Sequence, residues 1–183
     1  MNISFLVLSI LLIATNKPIE VNDVVPPTVL QDIKGRSIKL PVASHVTIIS
    51  FASKSTAERA GELTRAVRVN FPNVVLVSVI DVSSYPSLFS GMVKSKLKTR
   101  HEEAVVEART AFQKVGKTVP DDLDARIHLV PDFEQTWCKL FGAVETDATA
   151  YFALIGRDGR LKAFYGQDAV YSLLEKALLP ETP

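Results

Sequence analysis

Side chains that could do chemistry gather in the stretch SKSTAER, residues 53–59, directly after a run of apolar residues. Ser55 and Glu58 have the S-x-x-E spacing of a helix capping box. In that motif the Ser55 hydroxyl accepts a hydrogen bond from the Glu58 amide, and the Glu58 carboxylate accepts one from the Ser55 amide. Losing such a cap costs about 1 kcal/mol, which is enough to explain these residue types.

The same stretch, called the corner below, also has the composition of an anion-binding site. Its candidate groups are Ser53, Lys54, Ser55, Thr56 and Arg59. They would surround the positive end of a helix at the carboxyl edge of a parallel strand, where open α/β sheets tend to bind ligands. Neighbouring loops would add Asp81 from DVSS, and Asp147 and Thr149 from ETDAT. A small anion or an acidic segment of a partner would fit, whereas a nucleotide phosphate would need a glycine-rich loop.

Cys138 is the only cysteine among the 183 residues, so neither an intrachain disulfide nor a CxxC pair can form. It lies at the margin of a predicted apolar helix face that contains Phe133, Trp137, Leu140 and Phe141. A small packed hydrophobic residue is the favoured interpretation. The alternative is a reactive thiol that pairs with a partner protein.

The three histidines, His45, His101 and His128, are scattered, and none has a second ligand at helical metal-ligand spacing. Neither a metal nor a cofactor is therefore predicted. His101 is predicted to begin a solvated helix. The basic run KSKLKTRH has no interleaved aromatic residues, and the net charge is only +1, so nucleic acid is not a predicted partner.

The hydrophobic pattern predicts one α/β domain that positions the corner. Continuous apolar runs predict the buried strands VTIISF and VVLVSVI, and RIHLVP is a third strand. A hairpin precedes them, and a second hairpin closes the sheet around the turn GRDG. One helix is predicted after VTIISF. A second is predicted from Asp132 to Gly142, with Gln135 at the capping-box position, and a third from near Asp168 to Leu179. This order predicts a three-layer domain with a mixed sheet.

The region of about residues 86–122 is predicted to be a helical insert. It contains an apolar stripe, which suits a helix that packs on one side only. The stripe consists of Ala104, Val105, Ala108, Ala111, Phe112 and Val115. The insert could cover the corner, or it could carry the surface by which a structural module joins an envelope assembly.

The apolar run from Phe5 to Ala14 predicts a signal peptide over residues 1–16. It is too short to cross a membrane, which takes about 20 residues. The domain over residues 17–183 is therefore predicted to be periplasmic or secreted, without a membrane span. No cysteine follows the run, which argues against a lipoprotein anchor.

These pieces, in this order, resemble the redoxin branch of the thioredoxin superfamily. PPTVLQDIKGRSIKL resembles its opening hairpin, VTIISFAS the strand that leads to its active corner, and AYFALIGRDGRLKAFYG its closing hairpin. The resemblance implies that the two redox cysteines would stand at about Thr56 and Arg59. A threonine hydroxyl forms no disulfide and no accessible alkoxide, so thioredoxin-type activity is expected to be lost. ETDATAYF also lacks the proline that thioredoxins place before the closing hairpin.

A closer likeness is to the YtfJ-type exported bacterial proteins, carried by ASKSTAERAG, SGMVKSKL and ETDATA. The expected function is that of an exported binding or accessory module. The expected partner is an envelope protein or a small anionic ligand. The alternative is a divergent redox protein that uses Cys138 through mixed disulfides.

Overall fold

The computed structural model describes residues 17–166 and 171–179. The predicted signal peptide and the predicted start of the last helix at Asp168 lie outside these residues. The described residues form seven strands: β1 (Thr28–Gln31), β2 (Ser37–Leu40), β3 (Thr47–Ala52), β4 (Val75–Asp81), β5 (Ile127–Asp132), β6 (Tyr151–Ile155) and β7 (Leu161–Tyr165). Within the same ranges they form four α-helices: α1 (Ala57–Asn70), α2 (Ser90–Lys114), α3 (Thr136–Phe141) and α4 (Tyr171–Leu178).

Five strands form the central sheet in the order β5-β4-β3-β6-β7. β3, β4 and β5 run parallel, while β6 and β7 are antiparallel to their neighbours. All six residues of β3 are buried, because helices or the hairpin cover both faces of the sheet. The predicted mixed sheet is therefore confirmed, and the carboxyl ends of β3, β4 and β5 meet at the edge where the corner lies.

The hairpin of β1 and β2 forms a separate two-stranded sheet at the start of the domain, as predicted. Its turn uses Gly35 at a φ of 80°, a conformation that favours glycine. The Asp32 carboxylate stabilises the turn by accepting hydrogen bonds from the amides of Lys34 and Arg36, at 2.9 and 2.8 Å. Leu30 and Leu40 point from the hairpin into the core.

The two faces of the sheet bury different helices, because successive strand residues point to opposite sides. Ile49 and Phe51 pack with the hairpin and with α3. Ile48 and Ala52 face the other way and pack with α1 and α4. These layers give the three-layer α/β architecture that the sequence predicts.

The segment between β4 and β5 is mostly the long helix α2, flanked by 3₁₀ turns at Ser87–Phe89 and Leu123–Arg126. Ala108 and Phe112 of the predicted stripe are buried, whereas Val115 is 56% exposed. α2 packs against β5 and the end of α1 through a small third apolar cluster that includes Val69 and Ile127. No described helix is long and apolar enough to cross a membrane.

Two predictions about helix starts and solvation are wrong. α3 begins at Thr136, not at Asp132, because β5 extends through Asp132 and pairs with β4 to its end. His101 is not at a solvated helix start: it lies within α2 and is 1% exposed. Its Nε2 lies 3.0 Å from the carbonyl oxygen of Ile127, the first residue of β5. The ring is therefore buried where α2 packs on β5.

Candidate functional site

The corner is held by hydroxyl groups that hydrogen-bond within it and to the facing loop over residues 145–149. Thr56 Oγ1 accepts from the Ser53 amide at 3.1 Å and donates to the Thr146 carbonyl at 2.7 Å. Ser55 Oγ donates to the Asp147 carbonyl at 2.8 Å. Ser53 Oγ lies 2.8 Å from Ser55 Oγ and accepts from the Ser55 amide. The corner and this loop therefore form one hydrogen-bonded unit.

The predicted capping box of Ser55 and Glu58 is wrong. α1 begins at Ala57, and Thr56, the residue before it, makes no side-chain hydrogen bond to the helix amides. The carbonyls of Thr146 and Asp147 take the two hydroxyl protons, which turns both side chains towards the facing loop. Glu58 is exposed.

Thr146 links the corner to the end of β4. Its carbonyl accepts from Thr56, and its own hydroxyl donates to Asp81 Oδ2 at 2.7 Å. Thr146 is 3% exposed. The sequence places ETDAT beside the corner but does not reveal which of its two threonines points inward, so it predicts Thr149 and misses Thr146.

Asp81 is a buried carboxylate whose oxygens are satisfied by several donors. Besides Thr146, Gln135 Nε2 donates to Oδ2 at 2.9 Å and the Ser83 amide donates to Oδ1 at 3.0 Å. Burial acts to raise the pKa of Asp81, but these hydrogen bonds outweigh it and lower the pKa. Asp81 is therefore ionised at neutral pH. Gln135 serves this carboxylate and not the start of α3, which the sequence pattern did not reveal.

The remaining predicted groups are less closely joined. Lys54 and Arg59 are exposed, and the side chain of neither makes a hydrogen bond or ion pair with another described residue. Thr149 is half-buried, and its amide donates to the Glu145 carbonyl. The structure thus brings Ser53, Ser55, Thr56 and Asp147 together, joins Asp81 through Thr146, and leaves the two cations as the open polar groups of the corner.

Cys138 lies in the core and not at the corner. It is 1% exposed and belongs to the apolar cluster that contains Phe51 and Phe141. Burial, reinforced by the negative charges of Asp132 and Asp81, raises the pKa of the Cys138 thiol well above its ordinary value. The Cys138 side chain is thus packed among apolar residues.

Asp132 explains how so short a helix as α3 begins next to that thiol. Its Oδ1 accepts from the Thr136 amide at 2.8 Å, and its Oδ2 accepts from the amides of Trp137 and Cys138 at 2.9 and 3.0 Å. One carboxylate thus satisfies three of the amides that a helix start leaves without intrahelical partners. Among the described residues, no cluster of three or more histidine, cysteine, aspartate or glutamate side chains is arranged to hold a metal ion.

No family model matches the sequence, and no curated protein matches it. Solved structures do resemble it. A putative thiol:disulfide interchange protein DsbE from Chlorobium tepidum is 14% identical, with a TM-score of 0.57 over 89% of this chain and 98% of that one. The exposed lipoprotein thioredoxin Etrx1 of Streptococcus pneumoniae is 11% identical, with a TM-score of 0.59 over 84% and 98%. StoA from Bacillus subtilis is 16% identical, with a TM-score of 0.51 over 85% and 98%.

At these identities the likeness concerns the fold alone. The chain has a thioredoxin-like fold, as its strand order and two hairpins predict. Within that fold, Thr56 is the residue directly before the first turn of α1, and Arg59 lies in that turn. These are the two positions at which the resemblance would place redox cysteines.

Proposed function

We propose that this chain is an exported bacterial protein of thioredoxin-like fold that acts as a binding or accessory module and not as a thiol oxidoreductase. The observation that carries the proposal is the state of Thr56 at the start of α1. Its hydroxyl both accepts and donates a hydrogen bond within the structure. It therefore links the corner to the facing loop by hydrogen bonds. A redox protein of this fold would need a thiolate at this position.

The environment of Cys138 supports the same proposal. Thiol–disulfide exchange proceeds through an accessible thiolate. Cys138 is 1% exposed, and burial raises the pKa of its thiol. Mixed-disulfide chemistry at this residue, the alternative function, would first require α3 to move away from the core.

The names of the similar structures describe thiol chemistry in those proteins, and their likeness to this chain extends to the fold. Function depends on the residues of a site and not on the scaffold that carries it. We therefore infer that this chain shares the fold of those proteins but does not carry out thiol–disulfide exchange. In our proposal the chain is similar to the YtfJ-type exported proteins.

Export follows in this proposal from the apolar run in residues 1–16, which has the length of a signal-peptide core. The periplasm or the exterior would then be its compartment. The partner would be an envelope protein or a small anionic ligand, met at the end of the molecule where Lys54 and Arg59 are exposed.

A turnover assay tests the proposal. Reduction of insulin disulfides would be followed with dithiothreitol as electron donor, using the protein without residues 1–16 and its Cys138→Ala variant. We expect both proteins to give the rate of dithiothreitol alone. A rate above that background, abolished in Cys138→Ala, would replace the binding module with the redox alternative.

A further inference from the structure

A cavity of about 310 Å³ lies between α1, α2 and the sheet, and it borders the corner at Lys54 and Ala57. Its volume is at the lower end of the range of small-molecule pockets, about 300–1,000 Å³. Side chains from the sheet and from α2 form its apolar walls, including Ile80, Val93, Leu97, Ile127 and Leu129. The insert α2 thus forms one wall of a pocket that the minimal sheet and α1 could not enclose.

The polar lining of this cavity is mainly positive. Five cationic side chains border it: Lys54, Arg65, Arg68, Lys96 and Arg100. Two carboxylates also border it, Asp81 and Glu107. Asp81 is occupied by the donors already described, so it does not neutralise the arginines by direct contact.

Two of the arginines share a single carboxylate. Arg65 Nη1 lies 2.6 Å from Glu107 Oε2, and Arg100 Nη1 lies 2.7 Å from Glu107 Oε1. The pKa of Glu107 is lowered, chiefly by the hydrogen bond from Arg100. Arg100 Nη1 also lies 3.2 Å from Glu103 Oε2, so two carboxylates balance the charges of Arg65 and Arg100.

Arg68 has no partner at all among the described residues. Its Nε is buried without a hydrogen bond, and its guanidinium makes no ion pair there. Burial, together with the nearby charge of Arg65, lowers the pKa of Arg68 to about 10, so the group is still a cation at neutral pH. The Arg68 side chain is half-buried and its Nε is fully buried, and removing a charge from water without a counter-charge costs free energy.

We propose that this cavity binds a small organic carboxylate with an apolar body, and that Arg68 is the residue that binds its carboxylate. A guanidinium offers parallel N–H donors that match the two oxygens of a carboxylate. The aliphatic walls would take the apolar part of the ligand. The inference rests on the proposed function in that it names a ligand class for a binding protein, and it gives the insert α2 a role.

Calorimetric titration with decanoate tests this inference on the protein without residues 1–16. Decanol, which has the same chain length and no charge, and inorganic phosphate, which has charge and no apolar body, are the comparison ligands. We expect decanoate to bind more tightly than either. We expect Arg68→Met to weaken decanoate binding about tenfold or more, as expected for losing hydrogen bonds to a charged group.

Two further variants make the test specific. Arg68→Lys keeps a charge in place and should bind decanoate with an affinity between those of wild type and Arg68→Met. Arg109→Met removes an exposed cation from α2 that does not border the cavity, and it should bind as wild type does. Should Arg68→Met fail to fold, the preference of the wild-type protein for decanoate over decanol decides.

Three results would overturn the inference: no decanoate binding, equal binding of decanol, or equal binding by Arg68→Met. Tighter binding of phosphate than of decanoate would also overturn the assignment of an apolar carboxylate. The Cys138→Ala variant should bind decanoate as the wild type does, because Cys138 does not border the cavity. If the protein reduced insulin and also bound decanoate, the proposed function would be refuted and this inference supported. The two failures are therefore distinguishable.

Discussion

At the scale of single residues, the corner shows how the same residue types serve a different purpose from the one their spacing indicates. The S-x-x-E pattern predicts a cap because sequence spacing registers only local partners. The hydroxyls of Ser55 and Thr56 instead meet carbonyls about 90 residues further along the chain, at Thr146 and Asp147. Long-range contacts of this kind have no signature in the local sequence.

The corner yields a first prediction. Thr56→Val should destabilise the protein by about 1–3 kcal/mol, because it leaves the Ser53 amide and the Thr146 carbonyl without their partner. Thr56→Ser keeps the hydroxyl and should cost less. Urea unfolding followed by circular dichroism measures both.

Glu58→Ala is the matched control for that prediction. In a capping box this change would cost about as much as losing the serine. In the observed corner Glu58 contributes only the attraction of a negative charge to the helix start, about 0.3–1 kcal/mol. If Glu58→Ala lowered the free energy of unfolding as much as Thr56→Val does, the result would support the capping box instead.

Arg68 gives a second prediction at this scale. Arg68→Met should stabilise the ligand-free protein by up to about 1 kcal/mol, because it replaces a half-buried cation that has no partner among the described residues with an apolar side chain of similar length. Arg109→Met, at an exposed position, should change the free energy of unfolding by less than about 0.5 kcal/mol. Destabilisation by Arg68→Met would indicate that the guanidinium is paired within the protein.

His128 predicts a pH dependence of stability. Burial lowers its pKa below the ordinary value of 6.5, and the charge of Arg36 adds to this, although the hydrogen bond with Asp32 opposes it. The unfolded chain therefore takes up a proton near pH 6.5 that the folded chain takes up only at lower pH. Stability should fall as the pH drops from about 6.5 towards the folded pKa.

The His128→Gln variant should show a flatter dependence in this window, measured as urea midpoints between pH 7 and pH 5. Exposed His45→Gln serves as the control and should keep the wild-type slope. The charged or titratable groups around His128 are Asp32, Arg36 and His101. The lowered pKa of Asp32 acts in a separate window, below its ordinary value of 3.8. An unchanged slope in His128→Gln would assign the effect to another group.

At the scale of secondary-structure elements, α3 depends on one side chain from the preceding strand. A helix of six residues has little intrinsic stability, since helix formation needs a costly nucleus. The Asp132 carboxylate supplies acceptors for three amides in its first turn. The burial of Cys138 therefore depends on Asp132 as well as on apolar packing.

Asp132→Ala should destabilise the protein by about 2–3 kcal/mol and should raise the rate at which Cys138 reacts with a thiol reagent. Asp132→Asn retains one acceptor oxygen and should show a smaller change in both measurements. An Asp132→Ala variant with unchanged thiol reactivity would show that packing alone holds α3.

Elements differ in how far the sequence predicts them. β3 and β4 are found from their continuous apolar runs, and the two hairpins from their turn residues, because these signals are local. The boundary between β5 and α3 is missed because Asp132, the predicted start of the helix, continues the pairing with β4. The burial of His101 is missed because its ring packs against β5, a contact that local polarity cannot indicate.

At the scale of the whole molecule, a thioredoxin-like sheet carries a long helix, α2, that builds a cavity on one side of α1. The cationic lining of that cavity has a signal in the sequence. Arg65 and Arg68 on α1, and Lys96 and Arg100 on α2, stand three or four residues apart and so share a helix face. Only the packing of the two helices shows that these faces meet.

The whole fold also determines what the single thiol can do. Cys138 lies on α3, on the face of the sheet that the hairpin also covers, while Thr56 lies at the carboxyl edge where a redox protein of this fold would act. The proposed function follows from this separation. It predicts that any reaction of Cys138 is limited by local or global opening of the structure.

The most direct measurement is the rate at which the native protein reacts with a chromogenic disulfide reagent, with and without guanidinium. If Cys138 is a buried, unreactive thiol, the native protein should react at least about a hundredfold more slowly than the unfolded chain, and the rate should rise as denaturant is added. A fast reaction of Cys138 in native buffer, equal to that of the unfolded protein, would rule out the binding module and assign the chain to thiol chemistry.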